Sequence, residues 1–473
     1  MNKTQNIPDP TASAAPSLHR GLRARHIQLI AIGGTIGVGL FLGSAHAIRI
    51  AGPALILGYA VVGVVIFFIV RALGELMTYR PVSGTFAAYA EEFCGPFAGF
   101  LTGWSYWFMW VIVAMAELTA IGIYVNYWFP AIPQWVSALV ALGALYGLNM
   151  LAVRVFGEVE FWFALIKVVT IVGLILTGLF IITFGVGALG PTASFSNLWK
   201  DGGFFPFGFA AALQTIQMVT FAYAGIEMIG VTAGEAENPT VVLPRATNRI
   251  ILRIMLFYIG SLIIILALVP WRQLKEDVSP FVYLFEKMGL PAAAAVINLV
   301  VITAAMSSCN SGVFTTGRML FSLGERGHAP RLFRSLNRRQ LPAAGIHASA
   351  AAMLLGVGLN YLVPKSTFVW LTSITLIGSI WTWAMIMICH LRYRARVQRG
   401  TARAVGYRMP GAPYANWVVL LFLVGVLVML GTNVGTRVAL IVGPIWFAIL
   451  TAAYASRRHW RRAELTPDLS RDA

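Results

Sequence analysis

The chain has 473 residues, of which 58% are hydrophobic and 11% charged, with a mean hydropathy of +0.76. That balance excludes an ordinary water-soluble globular domain. A formal net charge of +17 would suit a nucleic-acid partner, but the placement of the basic residues gives it another origin, and no nucleic-acid partner is expected.

Residues 1–26, which begin MNKTQNIPDPTASAAPS, read as a cytoplasmic tail without the pattern of a cleavable leader. A bilayer core takes about 20 apolar residues per helix. Twelve such stretches follow, at 27–47, 53–73, 97–125, 134–153, 160–184, 206–233, 250–270, 291–322, 345–363, 366–390, 414–432 and 438–456. Backbone polar groups in hydrocarbon must be bonded internally, and barrel-type alternation is not seen. The expected fold class is therefore an all-α polytopic membrane protein with twelve transmembrane helices. With both termini cytoplasmic, 27 of the 35 Lys and Arg fall on the inner side, 7 on the outer side, and Lys167 within a span. This inner excess is the topology signal. It is strongest in RGHAPRLFRSLNRRQ (326–340) and HLRYRARVQRG (390–400), and it makes the lipid bilayer the partner of the chain. A basic cytoplasmic loop is expected at 391–413 and a cytoplasmic C-terminal tail at 457–473. Cys94, Cys309 and Cys389 are scattered without metal-ligand spacing and read as ordinary helix residues; no metal is expected.

Two spans are interrupted. The first contains GGTIGVGLF (33–41), and the sixth contains TFAYAGIEMIG (220–230), where Gly225 and Glu227 fall in an apolar run. Gly costs roughly 1 kcal/mol relative to Ala inside a helix, so its repeated use needs a reason. An unwound turn frees amide and carbonyl groups to grip a polar solute: the half-helix N-terminus suits an anion and exposed carbonyls suit a cation. A zwitterion satisfies both. The alternative is close helix packing through small residues. The paired interruptions divide the chain into five helices (27–184), five helices (206–390) and two more (414–456).

Three ionisable residues lie at membrane depth: Glu117 in VAMAELTA, Lys167 in FWFALIKVVT, and Glu227. Such residues are expensive there and are functional by default. The Lys167 amine either exchanges a proton and substitutes for a metal cation between helices, or snorkels to the inner surface from near the helix start at Glu160. Glu117 either faces the solute or is a structural acid. Glu227 either carries a proton or latches the broken segment. Thr303, Ser307, Asn310 and Ser311 share a face of the eighth span, directed into the bundle for solute binding or for interhelical bonds. Tyr106, Trp107, Trp110 and Phe221 either line a cavity or pack. The loop GEAENPTVVLPRATNR (234–249) reads as a solvated hinge. No Ser–His–Asp arrangement lies within the spans, and enzymatic activity is not expected.

The stretches RGLRARHIQLIAIGGTIGVGLFLGSA, RALGELM, GWSYWFMW, GEVEFWFALIKV, VTAGEAENP and NSGVFTTGRMLF resemble the amino acid permeases of the amino acid–polyamine–organocation superfamily, in its bacterial amino acid transporter branch. The resemblance runs from about residue 20 to 455. It implies a LeuT-like five-plus-five inverted repeat with two added helices and broken first and sixth helices. It implies secondary transport with the proton as coupling ion and no cofactor, in the cell (inner) membrane. By the same resemblance the substrate carboxylate meets amides at Gly37, Val38 and Gly39, with Thr35 and Ile36 nearby. The α-amine meets carbonyls of Thr35, Phe221, Ala222 and Ala224. Lys167 matches a fifth-helix lysine whose amine stands where sodium-coupled cousins hold sodium, and Glu117 matches an acid near the side-chain end of the pocket. Val38 stands where several relatives carry Thr or Ser, which leaves carboxylate binding to the backbone. Ser307 and Asn310 complete the expected substrate contacts; Lys167 and Glu227 are expected to couple protons.

The expected function is import of a neutral L-amino acid (proline, histidine, alanine, serine, threonine or an aromatic residue) by proton symport through alternating access. The alternatives are a cationic amino acid permease pairing its substrate with Glu117, an amino acid exchanger, and a non-transporting sensor. The oligomeric state is not legible.

Overall fold

The computed structural model describes residues 36–82, 85–151, 153–228, 230, 255–275 and 278–465. Among the described residues every regular element is helical. A π-helical turn, Gly39–Gly43, continues into α1 (Ser44–Ala51), followed by α2 (Leu55–Tyr79), α3 (Thr85–Cys94), α4 (Pro96–Val125), α5 (Gln134–Asn149) and α6 (Val153–Phe184). Then come α7 (Gly208–Gln214), α8 (Ile216–Ala222), α9 (Met255–Leu268), α10 (Pro280–Lys287), α11 (Pro291–Glu325) and α12 (Ala343–Leu362). The chain ends in α13 (Pro364–Gln398), α14 (Tyr414–Thr432) and α15 (Val438–Leu465).

Eight helical runs among the described residues are long and apolar enough to cross a membrane: Gly39–Tyr79, Pro96–Val125, Phe156–Phe184, Pro291–Glu325, Ala343–Leu362, Pro364–Gln398, Tyr414–Thr432 and Val438–Ser456. The difference from twelve has identifiable sources. Residues 27–35 of the first expected span lie outside the described residues, and what remains forms one run with the second. That run is broken at Gly52, whose φ of +61° leaves helical space and whose missing Cβ admits Pro206. The fourth, α5, has 16 residues and so rises only about 24 Å. The sixth is interrupted, leaving Gly208–Ala222 as a shorter apolar stretch, and the seventh is described only over Met255–Leu268.

The core is built around α4, which packs against α3, α5, α11, α12 and α13. Its sequence is apolar on all sides, as a helix enclosed by others must be. By contrast α6 has two faces. Glu160, Ala164, Lys167, Ile171 and Leu174 are buried at alternating spacings of four and three, while Trp162, Val169, Leu176 and Phe180 stand more than half exposed on the opposite side. The helical period thus carries Glu160 and Lys167 inward and leaves an apolar stripe for lipid.

At one end of the bundle the fold is tied by a carboxylate. Glu75 of α2 accepts from His390 Nε2 at 3.0 Å, from Arg394 Nη2 at 3.1 Å and from the Met409 amide at 2.6 Å. Its other oxygen pairs with Arg394 Nε at 2.8 Å. Asn416 of α14 contacts the far ring nitrogen of His390 at 3.0 Å. One acid therefore holds α2, α13, the following loop and, through His390, α14 together; α13 runs on to Gln398, so the basic loop expected at 391–413 begins only at residue 399. Removing one member of a buried pair typically costs 3–5 kcal/mol; Glu75→Ala is expected at about 3 kcal/mol, since Arg394 keeps partial solvent access. The check is a melting experiment in detergent, in which Glu75→Gln recovers part of the loss by accepting from the Met409 amide.

Candidate binding site at two broken helices

Ile36 and Gly37, the first described residues, form a bend before the helix starts at Val38, at the place where the first break is expected. The turn that follows is π-helical over Gly39–Gly43, a form that recurs at functional sites. The Val38 amide donates to both oxygens of Glu117 on α4, at 3.4 and 3.3 Å. A Cβ on Gly37 would come within 2.2 Å of Glu117 Oε1, so this carboxylate reaches the helix start only because residue 37 has no side chain. The hydroxyl of Ser308 lies on the other flank of Glu117.

The second break follows α8. Residues 223–227 form a turn, with Gly225 at φ +95°, and helix resumes at Met228. The two breaks touch: a Cβ on Gly39 would lie 2.6 Å from the Cα of Ala222. The glycines therefore serve both unwinding and close packing, each at its own position. Gly225 supplies a left-handed conformation, Gly37 admits a carboxylate and Gly39 lets two backbones meet.

Ile36, Val38, Phe221, Ala222 and Ala224 are all buried. The Ala222 carbonyl accepts from the Tyr258 hydroxyl of α9 at 2.7 Å, and the Phe221 carbonyl accepts from the Ala224 amide at 2.9 Å. Each carbonyl oxygen has two lone pairs, so one acceptor position on each is still open to an ammonium. Thr35 and the 234–249 loop lie outside the described residues.

The Lys167 ammonium is fully buried, which overturns the snorkelling alternative. Its Nζ donates to Ser307 Oγ at 2.8 Å, and Ser307 in turn donates to Glu160 Oε1. Asn310 Nδ2 lies 3.4 Å from the other Glu160 oxygen, and its carbonyl accepts from Asn149 Nδ2 at 2.8 Å. Lys167 is within electrostatic reach of Glu117 as well as Glu160. One cation thus sits between two carboxylates, with Ser307 and Asn310 engaged by Glu160. Thr303 departs from this face: its hydroxyl bonds back to Val300. Glu160 and Asn149 were missed as site residues in the sequence. Glu160 was readable, because seven residues before Lys167 is two turns along the same face; Asn149 carries no such signal.

Glu227 is fully buried at the end of the second break. Trp383 of α13 donates to its Oε2 at 2.9 Å, while Oε1 has no hydrogen-bond partner. The buried hydroxyl of Tyr106 lies beside Glu227, with the buried indole nitrogen of Trp110 next to it. Trp107 points away, bonded to Ser349 of α12 at 2.9 Å.

Residues 26–466 match the family model described as amino acid permease. The chain belongs to the amino acid permease family. Over 437 residues this permease is 51% identical to an uncharacterized amino acid permease, YtnA, of Bacillus subtilis, covering 92% of this chain and 94% of that one. It is 46% identical over 441 residues to a probable threonine/serine transporter, YbxG, of the same organism, covering 93% and 95%. It is 44% identical over 448 residues to the aromatic amino acid transport protein AroP of Escherichia coli, covering 94% and 97%. The permease is a membrane protein, with Glu117 at the first of the two turns and Glu227 at the second.

The contact between the breaks is testable. Overpacking a close approach costs typically 1–3 kcal/mol, and Gly39→Ala meets backbone atoms that cannot rotate away. A fall of about 1–3 kcal/mol in stability is expected. The control is Gly143→Ala, where an added Cβ meets nothing within 4 Å and helix propensity alone acts; its melting midpoint should hold or rise.

Proposed function

We propose that this permease imports a neutral L-amino acid by proton symport through alternating access. The first and sixth helices of a LeuT-like five-plus-five arrangement are the moving elements. The observation that carries this reading is the Glu117 carboxylate on the Val38 amide. It supports carboxylate binding at the opened helix start, since a carboxylate from the protein already lies there. Its bonds, at 3.3 and 3.4 Å, are longer than the usual 2.7–3.2 Å range. A substrate carboxylate that makes shorter bonds to the Gly37–Gly39 amides displaces it. The α-ammonium then takes the open acceptor positions on Phe221, Ala222 and Ala224.

Proton coupling follows from the charge arrangement. Lys167 donates through Ser307 towards Glu160, so a proton leaving the amine has an acceptor one hydroxyl away. A protonated Lys167 holds α6 and α11 against the site, and a neutral one releases them. Glu117, freed from Val38 by the substrate, shifts the balance of charge around Lys167 as the substrate binds. Glu227, with one bare oxygen, is the second candidate carrier. Neutral substrates are favoured because Lys167 and Glu117 are both engaged, leaving no free charge for an ionised side chain. The names of the relatives, aromatic in one case and threonine/serine in another, agree with a neutral class.

The test is uptake into proteoliposomes of a panel of labelled amino acids, with and without an inward proton gradient. Gradient-stimulated uptake of a neutral amino acid is expected, falling at least tenfold in Lys167→Ala. Uptake that needs only amino acid on the far side, with no response to the gradient, would make the protein an exchanger. A second variant separates the substrate classes. Glu117→Gln keeps or tightens binding of a neutral substrate in equilibrium dialysis while losing the response to the gradient. A cationic substrate paired with Glu117 would instead bind at least tenfold more weakly.

A further inference from the structure

The three cysteines are not all alike. Cys94 ends α3, which the Lys and Arg distribution assigns to the inner side; it is partly exposed, and Cys389 lies buried on α13. They are 295 residues apart in the chain, yet their sulfurs are 4.0 Å apart and joined by a hydrogen bond. Around them, Arg392 Nη1 donates to the Phe93 carbonyl at 2.7 Å and Arg396 Nη2 to the Glu92 carbonyl at 3.1 Å. Arg80 pairs with Glu92 at 2.9 Å, and Tyr89 bonds to the Arg80 carbonyl. The bond from Cys389, with Arg392 and Arg396 nearby, outweighs burial and pulls the Cys94 thiol down to about 7. Cys94 is therefore substantially thiolate at neutral pH, and the thiolate is the reactive form.

We propose that Cys94 and Cys389 form an oxidisable dithiol, whose internal disulfide fastens α3 to α13 and slows transport. The oxidant is a peroxide. The Cys94 thiolate attacks one peroxide oxygen, the O–O bond breaks and hydroxide leaves, giving a sulfenic acid on Cys94. The Cys389 sulfur then attacks the Cys94 sulfur, the S–O bond breaks and the oxygen leaves as water. Each sulfur is oxidised by one electron and the peroxide is reduced to two waters, which also take up the two thiol protons. The sulfurs, 4.0 Å apart, have to close by about 2 Å to reach bonding distance. In the reducing inner compartment such a bond is transient, as redox-sensing disulfides are.

The consequence is mechanical. Between α2 and α4 the chain passes through α3, and α13 packs on all three. At present polar contacts that can re-form hold α3 to α13; a covalent bond cannot slip. Any transport cycle that shifts α13 against α3 slows when the bond is in place.

The test uses the full-length protein in proteoliposomes treated with hydrogen peroxide and then a thiol reductant. Maleimide labelling and intact mass count the thiols, and uptake of whichever amino acid the wild type carries is followed in parallel. The expected result is loss of the Cys94 and Cys389 thiols with two hydrogens removed from the intact mass, retention of Cys309, and uptake slowed at least threefold, both reversed by the reductant. Cys94→Ser should keep both thiol content and uptake unchanged on oxidation, whereas Cys389→Ala should gain oxygen on Cys94 without a disulfide and keep its uptake unchanged. The proposal is overturned if the wild-type mass gains oxygen without a disulfide. It is also overturned if the disulfide forms and uptake is unchanged, or if either variant is inhibited as the wild type is. The thiol count does not depend on which solute is carried, so it stands or fails apart from the proposed transport reaction.

Discussion

Everything at the centre of this permease follows from one constraint: a lysine ammonium is held where neither water nor lipid headgroup can reach it. Lys167 is fully buried, and an isolated charge in such surroundings costs several kcal/mol even after relaxation. The structure answers with two carboxylates from different helices, Glu160 on its own helix and Glu117 on α4, and with a hydroxyl that accepts from the amine and donates onward. Because these partners come from α4, α6 and α11, the charge of Lys167 ties three helices together. The same arrangement makes the protonation of one amine a property of the whole bundle.

The glycines extend that argument to the helix breaks. A carboxylate that balances Lys167 needs a second donor for its oxygens, and the Val38 amide supplies one because Gly37 leaves room. Gly39 then brings Ala222 against the same turn, so the second break lies beside the first. Charge balance, the opened turn and the contact between halves are thus one arrangement seen from three sides.

Much of this was legible in the sequence, for reasons that differ residue by residue. The breaks were readable because repeated glycines and a carboxylate are costly inside an apolar helix, and paired interruptions in two halves mark a binding site. Lys167 was readable as a charge at depth, although its burial against a snorkelling alternative was settled only by the rotation of α6. Ser307 and Asn310 were correctly expected to face inward, but the structure engages both with Glu160, and a helical face alone does not say what lies opposite. The ties of Glu75 to His390 and of Cys94 to Cys389 were invisible, since each joins residues about three hundred positions apart and no local pattern marks a long-range pair. Eight long apolar runs lie among the described residues, and hydropathy alone did not show where a span is interrupted. It measures the apolar length of a segment, whereas the helix interrupted at Thr215 and again at 223–227 is apolar without being continuous.

How completely each buried acid is bonded separates the fixed parts of the molecule from those poised to move. Glu75 has three donors of normal length on one oxygen and a guanidinium on the other, and nothing is gained by releasing it. Glu117 holds Val38 by two long bonds, and Glu227 takes one normal bond from Trp383 with the Tyr106 hydroxyl alongside. Bonds longer than the usual range are weak, so a better donor set would lower the state in which Glu117 sits. A ligand shifts a conformational equilibrium only through its differential affinity for the two states. Under the proposed mode of binding, a substrate that replaces the weak Glu117 contact with stronger ones, and so frees the acid to re-pair, supplies that differential.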